Sequence, residues 1–401
     1  MVDVIEYEKQ VYAGVLGKTI GVYMGRPFEQ WDRSQIAEKW GIVDRYVHED
    51  QNVPLVVSDD DISGTLTFIR ALEDSGLYED TPVEAFGEAW LNYIMDHRTI
   101  LWWGGYGMST EHTAYLNLKS GVKAPGSGAI TTNGAPVAEQ IGAQIFIDAF
   151  GMVCPGNPEL AASLAMRAAS VAHDGEAVHA ACVVAAMVSA AFIEKDMNRL
   201  LDIGVGAIPA TAAIADVHRD VREWSQKDGD WETTYARIKE QYGYQNYGGS
   251  CHVIPNHALM VMAWAYAPDN FHKAQCIINS AGWDTDCNAA NVGSVMGIKV
   301  GLDRINEEYE FQRPFGDRLI IPTAEGTRSV SDVANEALHL ASIGRNIAKM
   351  PPLEWPKNGA LYHFEMPGSQ HGFLVEEHAF SARGTTRVEN TVLPHDAAER
   401  G

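Results

Sequence analysis

The sequence predicts an all-α fold for the first 350 residues, and two observations support this prediction. Residues 159–171 and 176–194 are rich in alanine with leucine, methionine and valine, and they lack the strict alternation typical of strands. Well-patterned strands are also scarce elsewhere in this part of the chain. The same helical spacing predicts further helices at 62–74, 82–95, 255–266, 269–280, 286–299 and 330–349.

The character of the chain changes after the paired prolines at 351–352. Residues 360–365 and 372–376 resemble two short strands separated by a Pro-Gly turn. We therefore expect an all-α domain over residues 1–350 and a small β-containing C-terminal extension over residues 351–401.

Composition and charge exclude several classes of protein. Hydrophobic residues make up 46% and charged residues 21% of the chain, which is ordinary for a globular protein and excludes disordered and fibrous classes. The 53 acidic and 30 basic residues give a formal net charge of −23, which repels phosphate backbones and anionic membrane surfaces. We therefore expect neither nucleic acid nor a membrane as a partner.

The cysteines and the chain start bear on the cellular compartment. The five cysteines are widely spaced and include no C-x-x-C pair, so neither a disulfide framework nor a zinc knuckle is indicated. The first residues lack the basic and apolar regions of a secretory signal, and no later segment has the roughly 18 uninterrupted apolar residues of a membrane span. These features predict a cytoplasmic, reduced protein.

Three consecutive aspartates, Asp59, Asp60 and Asp61, follow an apolar run and precede the helix predicted from residue 62. One aspartate at a helix N-terminus is an ordinary N-cap, further stabilised by the helix dipole. Adjacent carboxylates repel each other, however, and only one of them can cap. A hard cation with oxygen ligands would offset this repulsion, so the triplet is a candidate metal site as well as a candidate cap.

A second acidic segment, Asp284-Thr285-Asp286, enters the helix predicted at 286–299. From an extended stretch the two aspartates can point the same way, and their oxygens suit magnesium, calcium or manganese. The following Cys287 is a soft ligand poorly matched to such ions, which favours a small packed residue at this position. Helix capping is again the alternative for the aspartates.

Glycines recur at every fourth position near the start of the chain, at Gly17, Gly21 and Gly25. On a helix this spacing stacks them along one face and allows a neighbouring helix to pack closely. The segment contains no G-x-G-x-x-G and no complete G-x-x-x-x-G-K-[ST], because Tyr12 stands where the latter has its first glycine, so a nucleotide-phosphate loop is not indicated. Glu29, just after Pro27, is a candidate catalytic or metal-linked carboxylate, although an isolated glutamate is more often a surface residue.

Two other polar residues have an ordinary structural explanation. His173 lies between the two alanine-rich segments, where a lone histidine is usually a helix C-cap or a satisfied core residue. The same explanation holds for Asn256. A functional role for either residue needs support from other features of the chain.

Together these segments resemble the ADP-ribosylglycohydrolase family. Gly17 to Glu29 resembles the opening motif G-x-x-x-G-D-A-x-G-x-P-x-E, and residues 59–62 resemble T-D-D-T. His173 matches the central T-H, and Gly282 to Ala290 resembles G-G-D-T-D-T-x-A-A. The matches occur in the family's order, and the last of them is the most specific.

The resemblance implies an all-α fold with two neighbouring Mg²⁺ or Mn²⁺ ions in a central cleft, and hydrolysis at the anomeric carbon of ribose. A metal can hold ribose hydroxyls and acidify a water while a carboxylate acts as general base. The glycosidic bond breaks through an oxocarbenium-like state that negative surroundings favour. The metal ligands implied by position are Asp59 in place of the family's threonine, Asp60, Asp61, Asp284 and Asp286.

The resemblance also assigns catalytic and substrate-binding roles. Glu29 matches the carboxylate assigned to catalysis, Asp60 and Asp61 are the other candidate catalytic carboxylates, and His173 is expected to contact substrate. Residues 58–61 can also be aligned with T-D-D-T. We prefer the frame that begins one residue later, because the apolar positions of the following helix then match those of the family.

Several positions depart from the family pattern. Val22 stands where the family has aspartate, and Cys287 stands where it has a hydroxyl ligand. The stretch from Trp102 to Asn133, together with the tail, resembles a longer branch of the family, and its side chains could reshape the pocket for a smaller ribosyl compound such as a nucleoside. A hydrophobic or surface role is the alternative for each pocket candidate. The candidate substrate-binding residues are His173, Trp102, Glu111, Asn133 and Asn256.

The sequence therefore supports three functions. The leading one is cleavage of an N- or O-glycosidic bond to ribose in an ADP-ribosyl or related substrate, which is either a small molecule or an ADP-ribosylated protein. A nucleoside-type N-ribosyl hydrolase is the enzymatic alternative. The departures at Val22 and Cys287 motivate the third, a metal-dependent protein that binds ribosyl ligands without turnover, whereas the retained Glu29 argues against it.

Overall fold

The protein is described here by a computed structural model that covers residues 4–99 and 101–374. Most of this part of the chain is helical, and the strands are two or three residues long. The α-helices are α1 (Val4–Gly25), α2 (Arg33–Trp40), α3 (His48–Gln51), α4 (Asp60–Phe68), α5 (Ala71–Ser75), α6 (Val83–Tyr93), α7 (Thr110–Lys119), α8 (Ile130–Asn133), α9 (Ala135–Ala138), α10 (Gly142–Ile145), α11 (Asp148–Met152), α12 (Pro158–Ala169), α13 (Glu176–Ala191), α14 (Met197–Gly206), α15 (Ala213–Lys227), α16 (Trp231–Tyr242), α17 (Val253–Tyr266), α18 (Phe271–Ala281), α19 (Thr285–Val300), α20 (Leu302–Ile305) and α21 (Val333–Ile347).

Four short strands form two antiparallel pairs, and short 3-10 helices fill several connections. The strands are β1 (Trp31–Asp32), which pairs with β2 (Gly282–Trp283), and β3 (Arg318–Ile320), which pairs with β4 (Val330–Asp332). The 3-10 helices are Arg26–Phe28, Tyr78–Asp80, Tyr244–Asn246, Gly326–Arg328 and Pro356–Asn358.

The predicted all-α fold is confirmed, and each of the predicted helical segments contains helix. Two boundaries differ. The segment predicted as one helix at 62–74 is divided between α4 and α5. The segment predicted from residue 330 begins instead as β4, because Val330 to Asp332 pair with β3 before the Asp332 side chain caps α21 by accepting the N–H of Asn335.

Three helices are buried almost all round. Nearly every side chain of α13, α17 and α19 is buried, and these helices are rich in alanine, valine and methionine rather than amphipathic. A helix that is apolar on every face has to lie inside a helical layer. They form the centre of the molecule, and the more amphipathic α14 and α15 pack around them.

The glycine stripe of α1 lies against the backbone of α19. A methyl group placed on Gly17 would lie 2.1 Å from the carbonyl oxygen of Gly293, and one on Gly21 would lie 2.1 Å from that of Ala289. One on Gly25 would lie 2.6 Å from the backbone nitrogen of Asp286. The sequence prediction that this face admits a neighbouring helix is therefore confirmed, and the neighbour is the helix that begins with the second acidic segment.

The pairing of β1 with β2 continues this contact beyond the helix ends. Trp31 is opposite Trp283, and the N–H of Gln30 donates to the carbonyl oxygen of Trp283 at 2.7 Å. The hydroxyl of Thr285 donates to the carbonyl oxygen of Gly25 at 2.7 Å. The residues after α1 are thus fixed beside the residues that precede α19.

As far as residue 374, where the described chain ends, the segments predicted as strands in the C-terminal extension form no strand. Residues 360–374 follow turns, and residues Phe364, Gly368 and His371 have positive φ, which is incompatible with a regular strand. Their backbone groups bond to buried side chains of the helical body instead of to another strand. The amide of Gln312 donates to the carbonyl oxygen of Gly368 at 2.9 Å.

The rest of the extension, residues 375–401, lies outside the described residues and includes the end of the second predicted strand. His371 Nδ1 lies 3.1 Å from the Asp332 carboxylate, so the described part of the extension packs on the helical body. The division at residue 350 stays a prediction.

In the described chain, no helix combines the length and the apolar composition that crossing a membrane requires.

We expect Gly21→Ala to destabilise the protein by about 3 kcal/mol, because its methyl group would push α1 away from the α19 backbone. Urea unfolding measures this change. Gly206→Ala, at the exposed end of α14 with no atom within 4 Å of the added methyl group, is the matched control and should shift stability by less than about 1 kcal/mol. Equal effects of the two substitutions would contradict the close packing.

Candidate metal centre

The two acidic segments meet in one cleft. Side-chain oxygens of Asp59, Asp61 and Asp286 lie within 4.8 Å of one another, although more than 220 residues separate the two segments in sequence. A second set, formed by Asp284, Asp286 and Cys287, satisfies the same distance limit. Every member of both sets is buried. The two sets share Asp286 and therefore form one continuous cluster of donor atoms.

Helix capping explains only part of this arrangement. Asp59 is the N-cap of α4 and accepts the N–H of Asp61 at 3.0 Å, and its other oxygen pairs with Arg26. Asp284 stands at the N-cap of α19 but makes no capping hydrogen bond with its side chain. Among the described residues, Asp61 Oδ1 is buried without a hydrogen-bond partner. An unpartnered buried carboxylate oxygen beside other carboxylates fits a cation ligand.

The pKa values of the cluster show how strongly these carboxylates resist ionisation together. Burial, followed by the charges of neighbouring carboxylates, raises the pKa values of Asp60, Asp61 and Asp286 well above their ordinary value. Burial and Glu29 raise the pKa of Asp284 to about 7. A divalent cation would relieve this repulsion, and the donor set of carboxylate oxygens suits Mg²⁺ or Mn²⁺.

The nearest buried cation does not neutralise the cluster. Lys18 Nζ lies 2.8 Å from Asp148 and donates to the carbonyl oxygen of Ile145 at 2.9 Å. Burial alone would lower the pKa of Lys18, but Asp148 and then Asp61 raise it above its ordinary value. The lysine is therefore already paired, and it offsets only part of the charge of Asp61.

The cluster forms the floor of a cavity of about 570 Å³, which is within the usual size of a small-molecule site. Seven carboxylates and two arginines are among its lining residues. The carboxylates are Glu29, Asp59, Asp60, Asp61, Glu111, Asp284 and Asp286, and the arginines are Arg26 and Arg98.

Glu29 lies in the cavity wall where α1 and its 3-10 extension end, and it is solvent-exposed. Partial desolvation and the charge of Asp59 raise its pKa, although Arg26 opposes this shift. A carboxyl group with a raised pKa is suited to proton transfer near neutral pH. The β1–β2 pairing fixes the segment that follows Glu29 and so keeps this side chain near the acidic cluster.

The five predicted substrate-binding residues fall into two groups, those that line the cavity and those that do not. Trp102 and Glu111 line the cavity, as Asp60 does, but Asp60 belongs to neither donor set. His173 and Asn256 are buried behind the cavity wall, and Asn133 is the last residue of α8, so none of these three side chains lines the cavity.

The three residues outside the cavity wall support residues that form it. His173 Nε2 lies 3.4 Å from Glu111 Oε1. Burial alone would raise the pKa of Glu111, but the hydrogen bond and charge of His173 lower it below its ordinary value. Asn256 donates to the Tyr244 hydroxyl at 2.8 Å and accepts from Asn288 of α19 at 2.9 Å.

Asn133 has a comparable local role. It accepts from Asn117 Nδ2 and donates to the carbonyl oxygen of Ser127, at 2.9 and 2.8 Å. These bonds tie α7 to the loop after it. Substrate contact by Asn133 was expected from the sequence. Its side-chain amide is instead occupied by these local hydrogen bonds.

Sequence reasoning missed several cavity residues. Arg26 directly follows the glycine stripe, so its place in the motif is the signal that could have identified it. Arg98 and Cys251 lie in loops without a comparable signal. Cys287, expected as a packed residue, is indeed buried, but it also lines the cavity and its Sγ donates to Asp61 Oδ2 at 3.4 Å.

A third group of possible metal donors is formed by Asp96, His97 and His112, of which His97 lines the cavity. The backbone N–H of Gly105 donates to His112 Nδ1 at 3.2 Å, which leaves the proton of the neutral ring on Nε2. Asp96 is also paired with Lys119 at 2.6 Å. These existing bonds make this group a poorer metal site than the buried cluster.

Comparisons with known proteins identify a family whose model matches most of the chain and a solved structure with a similar fold. A family model described as ADP-ribosylglycohydrolase matches residues 3–331 of the chain. A search of curated proteins gave no match. A solved structure described as an ADP-ribosylglycohydrolase-related protein complex is similar to the chain, with a TM-score of 0.54 and 17% sequence identity over 85% of this chain and 99% of that one. At this identity the similarity shows a shared fold.

The acidic cluster predicts a pH dependence of stability that metal should reverse. The pKa of Asp284 in the folded protein is about 7, against an ordinary value of 3.8. The protonated side chain therefore stabilises the folded state fully below pH 3.8, and this stabilisation is lost as the pH rises through 7. In chelator, the melting temperature should therefore fall between pH 5 and pH 8. Excess Mg²⁺ or Mn²⁺ at pH 8 should raise it by a few degrees.

Matched variants separate this effect from surface charge. Asp284→Asn combined with Asp286→Asn should reduce the fall in chelator and abolish the rise with metal. Asp303→Asn, at an exposed position of α20, should leave both effects unchanged. Equal metal responses in the double variant and the original protein would show that this cluster does not bind the cation.

Proposed function

The chain belongs to the ADP-ribosylglycohydrolase family, and from this membership and the geometry of the cleft we propose that it is a metal-dependent hydrolase of a glycosidic bond to ribose. The observation that supports the proposal most directly is the convergence of both acidic segments and Glu29 on one cavity. The family is one of glycohydrolases. The substrate that we favour is an ADP-ribosyl or related ribosyl compound, with an N- or O-glycosidic bond.

The metal ligands that we propose are Asp59, Asp61, Asp284 and Asp286, with Asp60 as a further candidate. Because the two donor sets share Asp286, they suit two neighbouring ions. When bound, Mg²⁺ or Mn²⁺ would supply positive charge that holds ribose hydroxyls and lowers the pKa of water.

The remaining groups can assist bond cleavage directly. Glu29 can accept a proton from water or return one to the leaving group, because its pKa is raised and it faces the cavity. Asp60 and Glu111 add negative charge to the same wall. Such surroundings favour an oxocarbenium-like state at the anomeric carbon. Burial would raise the pKa of Glu111, but the neighbouring His173 lowers it, which favours the charged carboxylate.

Arg98 favours an anionic substrate over a neutral nucleoside. It is exposed in the cavity wall, and within the described residues it makes no ion pair, whereas Arg26 is paired with Asp59. An unpaired guanidinium among seven carboxylates is suited to bind the phosphate groups of an ADP-ribosyl compound. The rest of such a substrate is either a small molecule or an ADP-ribosylated protein.

A nucleoside-type hydrolase is the second candidate. Trp102 is 48% exposed while lining the cavity, and Trp103 packs edge-on against His112 with ring centroids 4.9 Å apart. An aromatic face at a cavity mouth can stack on a nucleobase without any phosphate contact. A metal-dependent protein that binds ribosyl ligands without turnover is the non-enzymatic candidate.

A substrate panel tests the leading function. ADP-ribosylated arginine and serine peptides, small ADP-ribosyl compounds and nucleosides are incubated with Mg²⁺, with Mn²⁺ and with chelator. We expect release of ADP-ribose that requires metal. Release of free ribose from nucleosides alone would support the second candidate, and ribosyl binding in calorimetry without any product would support the third.

Glu29→Gln tests the proposed acid–base group. It should lower kcat by about 100-fold or more while the rise of melting temperature with Mg²⁺ is kept, because the substitution removes a proton-transfer group and leaves both donor sets intact. Glu38→Gln, at an exposed position of α2, is the control and should retain full activity. Undiminished kcat in Glu29→Gln would remove this residue from the reaction.

Arg98→Gln tests the choice of an anionic substrate. KM for a phosphorylated ribosyl substrate should rise roughly tenfold, and KM for an unphosphorylated one should change little. Arg313→Gln is the control, since Arg313 is also exposed but does not line the cavity. A rise of equal size for both kinds of substrate would show that Arg98 does not recognise the anionic group.

A further inference from the structure

We propose that Cys287 is a metal ligand, and that its position in the centre prefers borderline thiophilic cations, such as Zn²⁺, Co²⁺ or Fe²⁺, to Mg²⁺. The inference rests on the proposed function, because it concerns the same metal centre. It assigns different chemistry to the two donor sets. The set of Asp59, Asp61 and Asp286 offers oxygen only, whereas the set of Asp284, Asp286 and Cys287 includes sulfur.

The position of the thiol supports this assignment. One ligand atom from each of Asp284, Asp286 and Cys287 lies within 4.8 Å of the others. Ligands of a tetrahedral Zn²⁺ lie about 2.0–2.3 Å from the ion, so they are roughly 3.3–3.8 Å from one another. Side-chain rotations that move the three atoms by about 1 Å would therefore bring them to the spacing that surrounds one cation.

The backbone that presents the thiol is rigid. Cys287 is in the first turn of α19, where the hydroxyl of Thr285 is bonded to Gly25 and the N–H of Cys287 donates to Asp286 Oδ1 at 3.0 Å. Close contact with the α1 glycines allows this turn little freedom to shift. The direction of the thiol is thus set by the same packing that sets the aspartates.

The surroundings of Cys287 differ from those of a packed core cysteine. Cys287 lines the cavity and its Sγ donates to Asp61 Oδ2 at 3.4 Å, so its hydrogen-bond partner is itself a proposed ligand. Cys182, by contrast, lies in the alanine-rich α13 and donates to the carbonyl oxygen of Ala162. Cys287 also belongs to the hydrophobic core, but its polar neighbours are carboxylates of the proposed centre.

Ligand chemistry then gives the selectivity. Thiolate sulfur is a soft ligand that strengthens binding of Zn²⁺, Co²⁺ and Fe²⁺, whereas Mg²⁺ keeps its oxygen shell and gains little from sulfur. On binding, the thiol loses its proton to solvent and the cation takes its place beside Asp61. The all-oxygen set retains the preference for Mg²⁺ or Mn²⁺, so we expect a centre with one hard and one borderline position.

Cobalt absorption tests the proposal without depending on turnover. Co²⁺ is titrated into the metal-free full chain, and we expect weak visible bands together with a near-ultraviolet thiolate-to-cobalt charge-transfer band. Cys287→Ser should lose the charge-transfer band and keep the visible bands. Cys251→Ser is the matched control, because Cys251 lines the same cavity but belongs to neither donor set, and it should keep both.

Affinity measurements provide a second readout. Cys287→Ser should lower Zn²⁺ affinity at least tenfold and change Mg²⁺ affinity by less than twofold. Cadmium NMR of the unsubstituted protein reports sulfur ligation even where the variant fails to fold. Equal losses of Zn²⁺ and Mg²⁺ affinity would overturn the proposed selectivity.

The outcomes separate this inference from the proposed function. Visible cobalt bands without a charge-transfer band in the unsubstituted protein would leave the metal centre in place and remove Cys287 from it. A charge-transfer band that persists in Cys287→Ser would also overturn the inference. Absence of any cobalt spectrum would overturn both the inference and the metal-dependent function.

Discussion

The close approach of α1 to α19 is the contact on which the rest of the site depends. With glycine at positions 17, 21 and 25, the two helix backbones come nearer than any side chain would permit. The approach places Arg26 and Glu29, at the end of α1, beside Asp284 and Asp286, at the start of α19. Two segments separated by most of the chain thereby share one cavity wall.

The cost of this arrangement is electrostatic, and the fold reduces it in several ways. Asp59 to Asp61 and Asp284 to Asp286 occupy the N-terminal ends of α4 and α19, where the partial positive charge of the helix favours carboxylates. Arg26 pairs with Asp59, and Lys18 lies close enough to Asp61 to lower its pKa. The pKa values that remain raised show that these charges are insufficient, which is the condition under which a divalent cation stabilises the folded protein.

The cavity lining also includes side chains other than the acidic cluster. The segment between α6 and α7 contributes aromatic and cationic side chains, of which Trp102 and Arg98 line the cavity. Glu111 begins the next helix, and His173 behind it lowers the pKa that burial alone would raise. In the proposed function, substrate choice would therefore reside in a loop and its supports, and the reaction type in helix ends fixed by backbone packing. A change in the loop can alter the substrate without disturbing the donor atoms.

The sequence by itself determined the helices, the glycine face and the two acidic segments, because each is a local pattern of spacing or charge. It could not separate capping from metal binding at Asp59 or Asp284, since that depends on whether the segments meet in space. Tertiary structure brings Asp59, Asp61 and Asp286 together, an arrangement that a cation site requires and that helix capping does not. It also showed that Asn133, His173 and Asn256 support the wall instead of lining it, and that residues 360–374 bond to buried side chains instead of forming strands. In each case the deciding partner is remote in sequence, and local patterns carry no information about such partners.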